Sequence, residues 1–374
     1  MVSKLLAVAL AAATLVSAQT STACDPTKKD CPNPKALGAK IIDIDFRKGD
    51  DDHKFLKVLA GTTLDYDKEL GAVYTINKET DAPTTQSDPY IFFGQVDVTV
   101  RAAKGVGIVT SIVLQSDDLD EIDWEWVGHD TTQVQTNYFS KGCIETYNRG
   151  GFSPVSNPQA EFHTYTIKWT TERLDWIIDG AVVRTLLASE AKGCSGFPQS
   201  PMQVKLGTWV AGRKGASPGT IEWAGGLANF AEAPFVGYYQ SLKVQDFMGG
   251  NGAKSAKEYQ YTDRTGSWQS IKVIADDGSV VEDDDTSSSA TQSKTANATA
   301  STFSTASSGT PTGFTTTTSG SPSGTAGTSN TGAAASRTSS GPTGAPTSAA
   351  SKLVSSFGSV VAIGAALFLG SLAL

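Results

Sequence analysis

Hydrophobic residues recur at every second position through the middle of this chain, and that period commits it to β-structure. Residues 90–100 (YIFFGQVDVTV) and 162–169 (FHTYTIKW) alternate β-branched or aromatic side chains with polar ones, as strands with one buried face do. In residues 173–184 the dipeptide Asp179-Gly180 separates two apolar runs, the strongest short-range signal of a hairpin. Further strands are predicted over 107–116, 121–127, 133–139, 202–210, 220–224 and 236–247, punctuated by Gly105, Gly128, Gly142, Gly212, Gly215 and Gly219. No stretch of ten or more residues carries a capped apolar period of 3.6. The expected fold class is all-β, two packed antiparallel sheets.

Composition limits where that fold can lie. All seven Trp fall between 124 and 268, whereas 34 of the 65 residues from 286 to 350 are Ser or Thr. Such a tract cannot bury enough apolar surface to offset its chain entropy. The folding unit is therefore expected over 19–285, followed by a disordered Ser/Thr-rich stalk over 286–350 that is O-glycosylated, with one N-glycosylation sequon at Asn297. The 38 acidic and 30 basic residues give a net charge of −8 with no Lys/Arg cluster, which argues against a nucleic-acid partner. Three His and four Cys, without CxxC or HExxH, supply little for a metal site. No cofactor is expected.

Both ends read as addresses. A lysine at position 4, an apolar run over 5–16 and Ser17-Ala18-Gln19 predict a signal peptide over 1–18. At the other end, small residues around Ser348 precede a mostly polar spacer, and an apolar tail follows over 360–374. This is the pattern of a GPI-anchor signal over 351–374, with Ser348 as the attachment residue. A secreted, membrane-anchored chain keeps its cysteines oxidised. Cys24 and Cys31, seven apart in a Pro-rich segment, suit a local loop, which leaves Cys143 to pair with Cys194.

One strand carries chemistry. In Glu121-Ile122-Asp123-Trp124-Glu125-Trp126 the acidic residues share one face, and Ile122, Trp124 and Trp126 the other. Three carboxylates side by side on an open sheet surface repel one another. A calcium site would use such oxygens, but straight i, i+2, i+4 spacing converges poorly on one ion. A solvated acidic strand needs no function. Glycoside hydrolysis by two carboxylates fits best: one attacks, while the other gives a proton to the leaving oxygen and later takes one back. Asp123 would then orient Glu121, and its charge would help keep Glu125 protonated. Glu121 and Glu125 lie ~13 Å apart along an ideal strand of ~3.3 Å per residue. Retention needs carboxyl groups ~5–5.5 Å apart, so both arms must lean together on a curved sheet. In residues 202–210, Lys205, Gly207 and Trp209 alternate onto one face, a cation beside an aromatic plate on which a pyranose ring can stack.

Glu121-Ile-Asp123-Trp-Glu125 resembles the ExDxE signature of glycoside hydrolase family 16, whose members are retaining enzymes of β-jelly-roll (concanavalin-like) fold. Residues 118–125, 131–139, 162–169, 180–185 and 219–226 further resemble the fungal Crh cell-wall transglycosylases, and the likeness spans about 24–270. It implies Glu121 as nucleophile, Asp123 as helper and Glu125 as acid/base, with sugar contacts from Glu125, Lys205, Trp209 and Thr220. It also implies a chitin donor and a β-glucan or chitin acceptor as partners, joined into wall cross-links; the chain is expected to act as a monomer. Some relatives add a Cys-rich chitin-binding module. With four Cys here, chitin affinity is expected from the cleft itself. Tyr138, Tyr147, Trp223, Tyr238 and Tyr239 are further sugar platforms to consider. The alternatives are a hydrolytic β-glucanase or chitinase using the same residues, and a non-catalytic wall lectin. His53, His129 and His163 lack a GxSxG elbow, so a Ser–His triad has no support.

Overall fold

In the computed structural model, which describes residues 22–49, 54–59, 63–143, 149–191, 196–250 and 252–281, the alternating segments become seventeen strands among the described residues. In chain order these begin with β1 (Ile41–Asp45), β2 (Leu56–Val58), β3 (Asp65–Asp67), β4 (Gly71–Ile76), β5 (Thr84–Ser87) and β6 (Gly94–Arg101). The central group is β7 (Ile108–Ser116), β8 (Glu121–Val127), β9 (Gln133–Phe139), β10 (Gly151–Pro154), β11 (His163–Trp169), β12 (Arg173–Ile178) and β13 (Ala181–Leu187). The last are β14 (Met202–Val210), β15 (Phe235–Asp246), β16 (Glu258–Tyr261) and β17 (Ile271–Ile274).

Two antiparallel sheets form a jelly-roll sandwich. One has seven strands in the order β10-β9-β8-β7-β14-β5-β2; the other has eight, β13-β12-β11-β6-β15-β4-β3 with β1 also on β15. Strands β16 and β17 make a separate hairpin. The Asp179-Gly180 turn lies where expected, both residues in the left-handed region at φ 49° and 83°, which a tight hairpin requires.

Between the sheets the odd and even sets separate. Trp124 and Trp126 of β8 are fully buried and meet Tyr165 of β11 edge-on at 5.3 and 4.5 Å between ring centres. Each such ring contributes a large hydrophobic burial together with a specific aromatic contact. Polar handles are satisfied across the core: Tyr239 of β15 donates to the carbonyl oxygen of Gly207 at 2.7 Å. Trp176 of β12 donates to that of Asp123 at 3.1 Å.

Two expectations need correction. Residues 220–224 do not form a strand: α1 (Pro218–Trp223) is a short helix, with Ser217 accepting from the Thr220 amide as N-cap and proline in its first turn. That capping chemistry overrides the strand-like Thr-Ile-Glu-Trp composition. The strand expected from residue 90 begins at Gly94, because Phe93 at φ 57° breaks the extended run. The Cys24–Cys31 disulfide is present. Cys143 is disulfide-bonded as well, and Cys194 lies outside the described residues. So do the signal peptide, Asn297, Ser348, the stalk, the anchor signal, His53 and Tyr147.

Candidate active site

Strand β8 is anchored before it begins. In the turn from β7, Leu119 adopts φ 65°, a conformation that costs a non-glycine residue of order 1 kcal/mol. Its amide donates to the Ser116 carbonyl at 3.2 Å, and its carbonyl accepts from Gly142 N at 2.9 Å. The buried Asp120 carboxylate accepts from Ser140 Oγ, Lys141 N, Lys141 Nζ, Gln199 N and Ser200 N at 2.6 to 3.1 Å. Lys141 also pairs with buried Asp118 at 3.0 Å. Burial and the neighbouring Asp120 charge raise the Asp118 carboxyl above its usual range. This knot fixes the residue immediately before Glu121.

Strand register then sets the cleft face. Glu121 stands opposite Gln115 on β7 and Phe139 on β9; Asp123 stands opposite Val113 and Asn137; Glu125 stands opposite Ser111 and Gln135. On the far side of β7, Val113 faces Lys205 and Ser111 faces Gly207 of β14. Paired residues point to the same side of a sheet, so Glu121, Asp123, Glu125 and Lys205 share one surface. The expected open acidic face is not open: Glu121 and Asp123 are only 2% and 1% exposed, and Glu125 is half-buried.

Burial separates the three acids. Asp123 is pushed well above the usual carboxylate range, first by burial, then by the charges of Glu121 and Glu125 and by its hydrogen bond with Glu121. A neutral Asp123 can thus share its proton with Glu121. Glu125 is raised to about 8 by burial and by the Glu121 charge, and so holds a proton at neutral pH. Glu121 instead accepts a hydrogen bond at 2.7 Å from Gln115 Nε2. Gln115 Oε1 in turn accepts from Lys205 Nζ. Burial lowers the Lys205 ammonium, with Glu121 and Asp117 opposing that shift. Environments that push neighbouring acids apart in this way assign one to carry charge and another to carry a proton.

Beyond Glu125 the surface turns aromatic. Trp209 of β14 and Trp223 of α1 lie 6.1 Å apart at 34°, and Trp223 Nε1 donates to Gln135 at 2.8 Å. Phe152 of β10, opposite Gln135, is 54% exposed. It lies two strand spacings from Glu125, about 10 Å. Thr220 sits on α1, its hydroxyl paired with Ser217 at 2.8 Å. Other proposed platforms lie elsewhere. Tyr138 and Tyr239 are buried in the core, because they fall on the inward set of their strands. Tyr238 lies beneath the Arg101 guanidinium at 4.4 Å, on the eight-stranded sheet. His163 pairs with Asp179 at 2.7 Å near that sheet's edge. Gln115, Gln135 and Phe152 escaped sequence reasoning, since only cross-strand register places them beside the acids.

Comparison with known proteins bears on this arrangement. The family model for glycosyl hydrolases family 16 matches residues 52–225. Crh-like protein 3 of Aspergillus fumigatus is 49% identical over 277 residues, 74% of each chain. Crh-like protein 2 of Botryotinia fuckeliana is 48% identical over 281 residues, 74% of this chain and 60% of its own. Among solved structures, a Crh5 transglycosylase in complex with NAG superposes with a TM-score of 0.62 at 48% identity, covering 67% of this chain and 99% of the other.

Proposed function

The chain belongs to glycosyl hydrolases family 16, among its Crh-like members, and from that membership we propose a retaining cell-wall transglycosylase that cleaves chitin and joins the new end to a β-glucan or chitin acceptor. The observation that carries the chemistry is the contrast along β8: Glu125 holds a proton up to about pH 8, whereas Glu121 accepts from Gln115.

In the first step a Glu121 carboxylate oxygen attacks the anomeric carbon and the glycosidic C–O bond breaks. Glu125 gives its proton to the departing sugar oxygen. Asp123 shares its proton with Glu121 and orients it. In the second step Glu125, now ionised, takes the proton of an acceptor hydroxyl. The oxygen of that hydroxyl attacks the anomeric carbon and releases Glu121. Water in the same position would give hydrolysis, so transfer depends on holding the acceptor hydroxyl in place at high effective concentration. Trp209, Lys205 and Thr220 contact the sugars in this reading.

Secretion through a signal peptide over 1–18, a glycosylated stalk over 286–350 and a GPI anchor at Ser348 would hold the domain, as a monomer, at the membrane and wall. Incubation with chitin oligosaccharides and a fluorescent β-glucan oligosaccharide, followed by mass spectrometry, tests the activity. Hybrid products longer than either reactant support transfer. A shortened donor without hybrids makes the protein a hydrolase, and no change in either sugar leaves a lectin.

A further inference from the structure

Lys205 touches Gln115, and Gln115 touches Glu121. A glutamine amide offers its oxygen on one side and its NH₂ on the other, so the cation decides which end faces the carboxylate. With Lys205 donating to Oε1, Nε2 is turned toward Glu121 Oε2 at 2.7 Å. Gln115 is itself buried, 4% exposed, and held in the ladder between β8 and β14. Neither residue of this pair can rotate without breaking the contact of the other.

We propose that Gln115 is a positioning residue that relays the Lys205 charge to Glu121 and fixes the nucleophile's rotamer for attack. The proposal rests on Glu121 being the nucleophile. Lys205 therefore acts on the reaction through Gln115, in addition to any contact with sugar. The relay also keeps the shared Asp123 proton from settling on Glu121, because a donated hydrogen bond favours the ionised form. The charged and titratable groups around Glu121 are Asp123 and Glu125 from β8, Lys205 from β14 and Asp117 from the turn after β7, which acts on Lys205.

The test is a double-mutant cycle on the whole protein, read as kcat and KM across pH. Gln115→Met keeps volume and removes both contacts; Lys205→Met removes the cation. Gln115→Met should lower kcat about 10- to 100-fold, the size of a lost hydrogen bond to a charged group. KM should change less than about threefold, and the acid limb of the profile should move to higher pH. Lys205→Met should lower kcat by a smaller factor in the Gln115→Met background than in the wild type, because contacting residues in one network do not add. Gln115→Glu, close in shape, serves if the Met variant fails to fold, and should lose kcat at least as severely. Near-wild-type kcat in the Gln115 variants, or kcat effects that multiply, overturns the relay. Glu121→Gln is run alongside: if it remains active the nucleophile reading itself falls, whereas an inactive Glu121→Gln beside an active Gln115→Met sinks the relay alone.

Discussion

Trp176, on the sheet opposite the cleft, donates its indole N–H to the main-chain oxygen of Asp123 at 3.1 Å. The strand carrying the acids is thereby held from behind by the core. Trp176→Phe keeps most of the packing and deletes this bond. It should cost about 1–2 kcal/mol, read as a lower denaturation midpoint at unchanged slope. An unchanged midpoint would show that the bond contributes nothing.

The Glu125 proton sets the alkaline limit of activity. A carboxyl raised to about 8 is competent as an acid below that pH and loses its proton as pH rises through it. We expect kcat/KM to fall about tenfold per unit above pH ~8. Glu125→Gln should abolish the limb along with about 10²- to 10⁴-fold of the rate on donors with poor leaving groups. A profile flat to pH 10 would contradict this.

The same proton makes the site a cost to the fold. An unfolded Glu releases its proton near pH ~4.3, whereas the folded one keeps it to about 8. The native state therefore binds more protons in that window, and stability falls as pH rises across it. Glu125→Gln should weaken this decline and melt higher than the wild type at pH 8. Asp123→Asn should act in the same direction. Equal melting curves at pH 5 and pH 8 in the wild type would rule this out.

Asp120 gathers hydrogen bonds from residues 140–141 and 199–200. Asp120→Ala leaves Lys141 and several amides without that partner and should cost about 3–5 kcal/mol. Chemical denaturation checks it, and a loss below 1 kcal/mol would mean the turn holds itself.

For sugar binding, Trp209→Ala should weaken affinity for a chitin oligosaccharide about 3- to 10-fold, the range for one aromatic contact, with little change in melting temperature because the ring is half-buried. Titration calorimetry reads the first quantity directly. Unaltered affinity would return Trp209 to a packing role beside Trp223.

The sheets were legible because alternation is a physical consequence of the pleat, and Asp179-Gly180 marked its hairpin without help. The shared face of Glu121, Asp123 and Glu125 followed from the same period. Burial did not: nothing local in the sequence says that Glu121 and Asp123 are covered on this face. Helix α1 was misread because Ser217 and Pro218 act on the backbone while the residues after them look like a strand. Gln115 was invisible for a different reason. It lies six positions before Glu121, and only the pairing of β7 with β8 brings the two side chains together.

Having all three acids on one strand of period two also links activity to folding. A slip of β8 by one position would turn Glu121, Asp123 and Glu125 into the core and expel Ile122, Trp124 and Trp126. A slip by two would keep the acids on their face but carry Glu121 away from Gln115 and Glu125 away from Gln135. Leaving register in this one strand therefore removes all three acids together, so local unfolding here abolishes turnover in every molecule it affects.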